Sequence, residues 1–464
     1  MGVIQVTKVI PSSHSPKSAS DLSLPLTFLD IFWFKFPPVE RLFFYRLPDI
    51  NHNFFNSEVL PKLKTSLSLT LLHFLPLAGS LTWPSPDAAK PIIRYSPNDG
   101  VSFTVAESNE DFDRLSGSQT YEANESHHLV PPLKVSDDTA SIIALQVTLF
   151  LNKGFCIGIT THHTVLDGKS TTMFVKAWAH TCRQGEKGNS SSSLPIEYTP
   201  FFDRSVIKDP SGLDILYLNQ WLAFTASSDP RSLKVPQNIG VVPQDLVRAT
   251  FQLTRENIKK LREMVASKWD KSKPSTHLST FVLTMAYTIT CMVKARGGES
   301  DRNVFWGFAA DYRSRLDPPL PENYFGNCVG PRWHAVRARD FMGENGLNFA
   351  VEKLSNEIKG LEKRQVLEGA ENKLSSVLDL VKESTGSVQL IGVAGSPRFN
   401  VYESDFGWGK PEKVEIVSID RTGAISLAES ADGSGGVEIG LALMKHEMEI
   451  FASFFIHGCT QLDI

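Results

Sequence analysis

Apolar and polar residues follow two different periods along the chain. Leucines three or four positions apart in residues 59–74 share one face of a helix, and the same spacing predicts helices over residues 255–265 and 347–361. Short runs rich in β-branched residues and bounded by turn-forming residues predict strands at residues 92–95 and 248–253. The mixture of both patterns predicts an α/β fold class.

A predicted hairpin leads directly into a polar turn. Residues 144–151 and 155–160 are two strand-like runs separated by Asn-Lys-Gly, which is typical of a hairpin with a glycine-bearing turn. The second run continues into Thr-His-His-Thr-Val-Leu-Asp-Gly at residues 161–168, and a helix is predicted from there. Residues 432–436 are glycine-rich, but strand-like runs flank them on both sides. We therefore interpret them as a hairpin turn and not as a phosphate-binding loop.

The length and one break in composition indicate more than one domain. The chain has 464 residues, about three times a typical domain. Residues 184–195 are rich in glycine, serine and polar residues that form no core, so a flexible surface connection is expected there. Residues 201–245 alternate short apolar pieces with proline and predict an irregular crossing segment. The predicted units are an N-terminal domain over residues 1–200, this crossover, and a C-terminal domain over residues 246–464.

Composition excludes several classes of protein. Lys and Arg number 47 against 51 Asp and Glu, a formal charge of −4, so the basic footprint of a nucleic-acid-binding protein is missing. No stretch reaches the roughly 18 apolar residues of a membrane span, and the N-terminus does not resemble a secretion signal. The five cysteines are scattered without a Cys-x-x-Cys pair, which favours a reducing compartment. We expect a cytoplasmic chain with no nucleic-acid or membrane partner.

His163 and Asp167 are the candidates for chemistry in the turn after the hairpin. A neutral imidazole at the end of a buried strand can remove a proton from a hydroxyl. Asp167 either orients that imidazole or faces away and pairs with an arginine, and Gly168 suits a tight exit into the helix. With 12 histidines and 51 acidic residues in the chain, this spacing also arises by chance about once. A metal site is not favoured, because His162 and His163 would point to opposite faces of a strand.

Two further segments place charged residues after predicted strands. Residues 405–411 read Asp-Phe-Gly-Trp-Gly-Lys-Pro, and because the other motifs of a protein kinase are missing, we favour a packed turn whose acid caps backbone donors. Residues 311–315 read Asp-Tyr-Arg-Ser-Arg after an apolar run. They indicate either a strand end that offers a guanidinium to a carboxylate or phosphate, or an ordinary surface charge cluster.

Two of these motifs together resemble the signature pair of the plant BAHD acyl-CoA-dependent acyltransferases. His-Thr-Val-Leu-Asp at residues 163–167 is followed far along the chain by Asp-Phe-Gly-Trp-Gly at residues 405–409. Pro-Leu-Ala-Gly at residues 76–79 and Phe-Phe-Asp-Arg-Ser at residues 201–205 match the family too. Tyr-Phe-Gly-Asn-Cys at residues 324–328 resembles the motif of the branch that acylates anthocyanins and flavonoid glucosides.

The resemblance implies a fold and a role for each matching residue. The fold would consist of two similar α/β domains related to chloramphenicol acetyltransferase, with a solvent channel between them. His163 would lie in that channel as the general base, reached by acyl-CoA from one side and by the acceptor from the other. Asp405 would maintain the fold away from the reacting atoms, and Trp408 would support the oxyanion pocket. The residues implied to be structural at the site are Asp167, Gly168 and Arg313, the last as the partner of Asp167.

The resemblance also implies acyl-CoA as co-substrate, without a bound cofactor or a metal. The residues implied to bind acyl-CoA are Ser279, Thr280, Arg313 and Lys410. A malonyl carboxylate needs a nearby cation, whereas an aromatic acyl tail needs an apolar wall. The chain offers Arg41 and Lys410 for the first and Trp33 and Phe34 for the second, and the sequence does not decide between them.

The resulting prediction is a monomeric acyltransferase that transfers an acyl group directly, with malonyl favoured. The acceptor would be a sugar hydroxyl of a flavonoid, anthocyanin or other phenolic glucoside. A hydroxycinnamoyl donor with the same acceptor class is an alternative. A peptide-forming condensation domain is another, because residues 162–168 fit its longer His-His-x-x-x-Asp-Gly motif. The last alternative is a non-catalytic binding protein that retains the channel.

Overall fold

The computed structural model describes residues 1–12, 20–85, 87–185, 193–225, 231–236, 239–269, 272, 276–362, 366–383 and 388–461. The connection predicted at residues 184–195 lies mostly outside the described residues, because residues 186–192 are not among them.

Strands and helices alternate through this part of the chain. The strands are β1 (Gly2–Val9), β2 (Leu22–Pro25), β3 (Val39–Arg46), β4 (Ser80–Thr82), β5 (Ile92–Tyr95), β6 (Val101–Glu107), β7 (Tyr121–Glu122), β8 (Thr139–Ser141), β9 (Ile143–Phe150), β10 (Gly154–Thr161), β11 (Leu246–Leu253), β12 (Asn303–Asp311), β13 (Val329–Arg337), β14 (Gln389–Ile391), β15 (Val393–Gly395), β16 (Lys413–Ile416), β17 (Ile425–Glu429) and β18 (Val437–Met444). The helices are α1 (Phe28–Ile31), α2 (His52–Phe54), α3 (Leu60–Leu71), α4 (Leu75–Ala78), α5 (Phe112–Leu115), α6 (Asn124–His127), α7 (Gly168–Gly185), α8 (Leu213–Phe224), α9 (Arg255–Ser267), α10 (Thr280–Arg296), α11 (Arg339–Met342), α12 (Gly346–Glu362), α13 (Ala370–Glu383), α14 (Ile419–Thr422) and α15 (Lys445–Gln461).

A six-stranded sheet in the order β1-β6-β9-β10-β3-β16 contains the predicted hairpin. β9 and β10 pair antiparallel, with Gly154 opposite Phe150, and Asn152 in the turn has a φ of 58°. Asparagine tolerates this left-handed conformation better than most residues. Every residue of both strands is buried, as expected for a sheet that is covered on both faces.

A five-stranded sheet in the order β15-β17-β18-β11-β7 forms the centre of the C-terminal half. β17 and β18 pair antiparallel around residues 432–436, which confirms the predicted hairpin. A three-stranded sheet in the order β13-β12-β14 and a four-stranded sheet in the order β2-β5-β4-β8 complete the β structure of the described residues.

Each half of the chain contributes one strand to the large sheet of the other half. β16 comes from the C-terminal half and pairs with β3 at the edge of the six-stranded sheet. β7 comes from the N-terminal half and pairs with β11 at the edge of the five-stranded sheet. Buried apolar side chains from both halves form one continuous core. The two halves are therefore joined by shared sheets as well as by the connecting segment.

The helices predicted from leucine spacing are present, and one further helix corrects the prediction for residues 201–245. α3 buries Leu63 and Leu67, as the spacing predicted. α8 lies within the segment expected to be irregular and buries Tyr217 and Trp221. Its sequence is apolar on nearly all sides, so no 3.6-residue period stands out from it.

α10 is strongly apolar, and almost all of its residues are buried inside the protein. Within the described part of the chain, no helix combines the length and the apolar character needed to cross a membrane.

Candidate active site

His163 lies in the turn between β10 and α7, where the buried strand leaves the sheet. The turn is closed by a hydrogen bond from the Val165 N–H to the His162 carbonyl at 3.0 Å. The Thr164 hydroxyl lies 3.3 Å from the backbone carbonyls of Trp33 and Phe34. These contacts fix the turn against the segment that follows α1.

The His163 ring is sandwiched among aromatic side chains and is half-buried. The indole of Trp33 stacks on it with ring centroids 4.4 Å apart and an interplanar angle of 5°. The Phe36 ring is tilted against it at 5.9 Å. The buried Nδ1 of His163 has no hydrogen-bond partner among the described residues. The imidazole is thus held by packing, and the described residues leave its Nδ1 without a hydrogen bond.

The pKa of His163 is lowered to about 4, chiefly by burial; the residue's own backbone and Asp167 act in the opposite direction, and the Arg41 charge adds to the lowering. At neutral pH the imidazole is therefore uncharged and can accept a proton. His162 has a different environment, because its side chain is buried and its Nδ1 accepts a hydrogen bond from the Thr164 N–H at 3.3 Å. Of the two adjacent histidines, His163 is the one suited to chemistry.

Asp167 faces away from the imidazole and pairs with Arg313. Its Oδ2 accepts hydrogen bonds from Arg313 Nη2 at 2.8 Å and from the Cys328 N–H at 3.1 Å, and its Oδ1 accepts one from the Ser170 N–H at 2.8 Å. Burial raises the pKa of Asp167, but the Arg313 charge and these hydrogen bonds outweigh it, so that the pKa is lowered overall. Of the two roles left open by the sequence, the structure contains the ion pair with an arginine.

Arg313 is buried and bonded entirely to protein groups. Besides Asp167, its guanidinium donates to the carbonyls of Tyr324 and Gly326 and to the Asp311 carboxylate. The side chain is only 1% exposed. These bonds give Arg313 a role in holding the turn, and its contact with acyl-CoA stays a prediction.

The Tyr-Phe-Gly-Asn-Cys motif at residues 324–328 wraps around this ion pair, a role that the sequence did not reveal. Asn327 Nδ2 donates to the His163 carbonyl at 2.9 Å, and the Asn327 N–H donates to Asp30 Oδ1 at 3.1 Å. Asp30 in turn belongs to the capping box that begins α1 with Thr27. The motif thereby connects the His163 turn to the N-terminus of α1. The signal was present as a motif, but its partners are far away in sequence.

Gly168 is required by close packing and not by the tight turn that the sequence suggested. Its φ lies outside the left-handed region. A Cβ at this position would lie 2.8 Å from the Phe399 ring and 3.1 Å from Arg41 Nη2. Glycine is therefore the residue that lets an aromatic ring and a guanidinium approach the start of α7.

The Asp405 motif forms a self-capped loop at the other end of the sheet. Asp405 Oδ1 accepts hydrogen bonds from the N–H groups of Gly407 at 2.8 Å and Gly409 at 3.0 Å. Phe406 is buried and meets the Trp178 ring edge-on, with centroids 4.8 Å apart. The chain then continues directly into β16. These contacts give the motif a role in the fold, and the absence of a direct part for Asp405 in the reaction stays a prediction.

Trp408 does not lie near His163, which corrects its predicted role at the oxyanion. Its ring packs edge-on against Phe155, with centroids 5.7 Å apart. Phe155 is at the start of β10 and His163 follows its end, so the two positions are about 25 Å apart along the extended strand. Lys410 is exposed on the same remote loop, and its contact with CoA stays a prediction.

Ser279 and Thr280 lie at the N-terminus of α10, where backbone N–H groups favour an anion. The Ser279 hydroxyl accepts a hydrogen bond from the Val282 N–H at 3.3 Å. Phe281 packs against Phe308 of β12 with ring centroids 5.3 Å apart. Since β12 leads to Arg313, this helix end is connected to the His163 region through one strand.

Two cavities lie away from the imidazole. The larger is bordered by β13 and α13 and includes Trp333 and Lys373. The smaller lies behind α1, between Phe32 and Tyr312. Among the described residues, no group of three or more His, Cys, Asp or Glu side chains is arranged to hold a metal ion.

Comparison with known proteins assigns the chain to a family. The model of the Transferase family matches residues 2–457. Phenolic glucoside malonyltransferase 1 from Arabidopsis thaliana is 47% identical to the chain, and the match covers 98% of this chain and 97% of that protein. The chain is a member of the BAHD acyltransferase family. It is an enzyme that transfers acyl groups, and the resemblance inferred from the two motifs is confirmed.

A second BAHD relative supports the same branch. Malonyl-CoA:anthocyanidin 5-O-glucoside-6''-O-malonyltransferase from A. thaliana is also 47% identical, over 99% of this chain and 98% of that protein. The crystal structure of vinorine synthase matches with a TM-score of 0.68 at 22% identity, covering 97% of this chain and 96% of that chain. This likeness shows the fold and confirms the predicted fold class. The condensation-domain and binding-protein alternatives lose their support.

Proposed function

We propose that the protein transfers a malonyl group from malonyl-CoA to a sugar hydroxyl of a phenolic glucoside, with His163 as general base. The observation that carries the proposal is the half-buried, neutral imidazole, stacked on Trp33 and free of any hydrogen bond at Nδ1. The names of the two relatives support malonyl-CoA as donor and phenolic or anthocyanidin glucosides as acceptors.

In the proposed reaction, a ring nitrogen of His163 takes the proton of the acceptor hydroxyl as that oxygen attacks the thioester carbonyl. The tetrahedral intermediate collapses with cleavage of the carbon–sulfur bond. The imidazolium then returns the proton to the departing thiolate, so that free CoA and the malonyl ester are formed. Asp167 takes no part in the proton transfer, because its carboxylate is bonded to Arg313, Ser170 and Cys328.

The remaining assignments are parts of the same proposal. A solvent channel between the domains, residues 1–200 and 246–464 with the crossover 201–245, would bring both substrates to the half-exposed ring. Ser279 and Thr280 would meet oxygen atoms of CoA at the N-terminus of α10, with Lys410 as a further contact. The protein would act as a cytoplasmic monomer, with acyl-CoA as co-substrate and without a bound cofactor or metal.

The test is steady-state kinetics of the recombinant chain with malonyl-, acetyl- and coumaroyl-CoA against a panel of phenolic glucosides. We expect the highest kcat/KM with malonyl-CoA, and a malonylated glucoside as the product identified by mass spectrometry. A preference for coumaroyl-CoA would overturn the donor and leave the acyltransferase activity in place.

His163→Ala is expected to lower kcat by about 10²–10⁴-fold, since the general base is lost. The melting temperature should change little, because the ring makes no hydrogen bond through Nδ1. His52→Ala is the matched control, as His52 is exposed and bonded only to Glu107 on the surface. Comparable turnover in the His163 and His52 variants would remove the proposed base.

A further inference from the structure

Arg41 is a buried guanidinium on β3 with few partners. The residue is 3% exposed, and its Nε is buried without a hydrogen-bond partner. Its Nη1 donates to the Thr172 hydroxyl at 3.0 Å, which is the one side-chain hydrogen bond that Arg41 makes with the described residues. A guanidinium carries five N–H donors, so most of its donors are not matched by the protein.

The other buried arginines provide an internal comparison. Arg313 pairs with Asp167 at 2.8 Å, Arg204 lies 3.6 Å from Asp30, and Arg248 pairs with Asp420 and Glu415. Within the described residues, no carboxylate lies within 4.0 Å of the Arg41 guanidinium. A buried charge without a counter-charge is strongly unfavourable. Arg41 is thus the buried arginine without a directly paired carboxylate among the described residues, and the Asp167 charge only partly offsets the burial that lowers its pKa to about 10.

Arg41 lies beside the His163 turn. Its Nη2 approaches to 3.1 Å from the position of a Cβ on Gly168, the residue that follows Asp167. Thr172, its hydrogen-bond partner, is in the first turns of α7, directly after the His163 turn. The Arg41 charge also contributes to the low pKa of His163. The guanidinium thus lies against the first turns of α7, the helix that follows the His163 turn directly.

We propose that Arg41 binds the free carboxylate of the malonyl group and selects a dicarboxylic acyl donor. This inference rests on the proposed function and adds the residue that determines the donor. An arginine binds a carboxylate through two parallel hydrogen bonds, and such charge-assisted bonds are strong where water is excluded. In malonyl-CoA the carboxylate is separated from the thioester carbonyl by one methylene, so both ends can be held at once. Gly168 is part of this arrangement, because a side chain there would occupy the space of the guanidinium.

The experiment compares malonyl-CoA with acetyl-CoA, which lacks the carboxylate, for wild type, Arg41→Met and Arg41→Lys with one phenolic glucoside. In Arg41→Met we expect kcat/KM for malonyl-CoA to fall by about 100-fold, as for loss of hydrogen bonds to a charged group. The value for acetyl-CoA should fall much less, so that the preference for malonyl-CoA disappears. Arg41→Lys should recover part of the malonyl preference, because it keeps the charge without the fork.

An equal loss with both donors would overturn the role of Arg41 and leave the proposed function intact. A wild type that prefers acetyl- or coumaroyl-CoA would contradict the proposed function itself. If Arg41→Met does not fold, as judged by its melting curve, the wild type and Arg41→Lys decide the question. A wild type with equal kcat/KM for malonyl- and acetyl-CoA overturns the inference without any variant.

Discussion

The imidazole of His163 and the carboxylate of Asp167 are controlled by different forces. Burial keeps the imidazole neutral, whereas the Arg313 charge and backbone hydrogen bonds keep the carboxylate ionised. The two groups are separated by only three residues, yet each has its own set of partners. The Asp167 charge still raises the pKa of His163 from a distance, but it does not hold the ring in place.

Asp167→Asn is expected to destabilise the protein by about 3 kcal/mol, because it removes the charge that Arg313 is buried against. The lowered pKa of Asp167 means that its stabilisation is present above the ordinary pKa of a carboxyl and is lost as the pH falls through the lower folded value. Urea unfolding at pH 7 measures the effect. Asp301→Asn is the control, since Asp301 pairs with Arg339 on the surface.

The pH optimum of the folded Asp167→Asn enzyme should change little, because burial is the main cause of the low His163 pKa; loss of the Asp167 charge lowers that pKa slightly further. A variant as stable as the wild type with a shifted optimum would contradict the structural role and would restore Asp167 as the residue that orients the imidazole.

At the level of single residues, the sequence predicted those site residues that belong to one local motif. His163, Asp167 and Gly168 lie in one turn and were found from it. Trp33 and Asn327 were not assigned to the imidazole, because they reach it from 130 and 164 positions away along the chain, respectively. Sequence periodicity describes neighbours within a few turns and carries no information on such contacts.

Among the elements, the loop at residues 405–411 shows how a motif can be essential without touching a substrate. Its carboxylate holds two glycine N–H groups, and its Phe406 is buried between Trp178 and Tyr45. Gly407 and Gly409 have φ values of 106° and 100°, which other residues rarely adopt. The loop sets the direction in which β16 enters the sheet.

Asp405→Ala is expected to lower the free energy of unfolding by about 2 kcal/mol, because two hydrogen bonds to a charged group are lost at a partly exposed site. kcat per folded molecule should stay within about threefold of the wild type, since the loop is remote from His163. Urea unfolding and active-site-normalised kinetics measure the two effects. A large loss of kcat at unchanged stability would show that the motif acts in the reaction.

The helices and strands with a clear hydrophobic pattern were predicted correctly. The helix α8 was missed for a physical reason. α3 buries the positions that its leucine spacing marks, and the β9–β10 hairpin is marked by two apolar runs on either side of a turn signal. α8 is apolar around its circumference, so its pattern does not distinguish a helix from an irregular apolar segment.

In the whole molecule, Arg248 connects the two large sheets. It lies on β11 and donates through Nη2 to the Ile416 carbonyl at 2.7 Å and through Nη1 to the Val417 carbonyl at 3.1 Å. Its partners Glu415 and Asp420 are buried with it. The strand that completes the N-terminal sheet is therefore bound to the C-terminal sheet through this side chain, and the Tyr121 hydroxyl of β7 adds a hydrogen bond to Glu415. Such a link between sheets could not be predicted from the sequence, because it depends on the exchange of β16.

Arg248→Met is expected to lower the free energy of unfolding by about 3–5 kcal/mol, since it removes the buried guanidinium that Glu415 and Asp420 share and leaves them with Lys413 and His127, respectively. Because both halves share one core, unfolding should remain a single transition when followed by fluorescence and by circular dichroism. Arg339→Met is the control, as its ion pair is exposed and contributes about 0–1 kcal/mol. Two separate transitions in the wild type would contradict the shared core.

The placement of β16 has a consequence for biosynthesis. Residues 1–200 emerge from the ribosome long before Lys413–Ile416 are synthesised. The edge of β3 therefore stays unpaired while the rest of the polypeptide is made. An open strand edge is a template for pairing with other chains, and domains usually begin to fold as they emerge. The nascent N-terminal half is thus the species that most needs to be protected by chaperones. Expression of that half alone should yield aggregates.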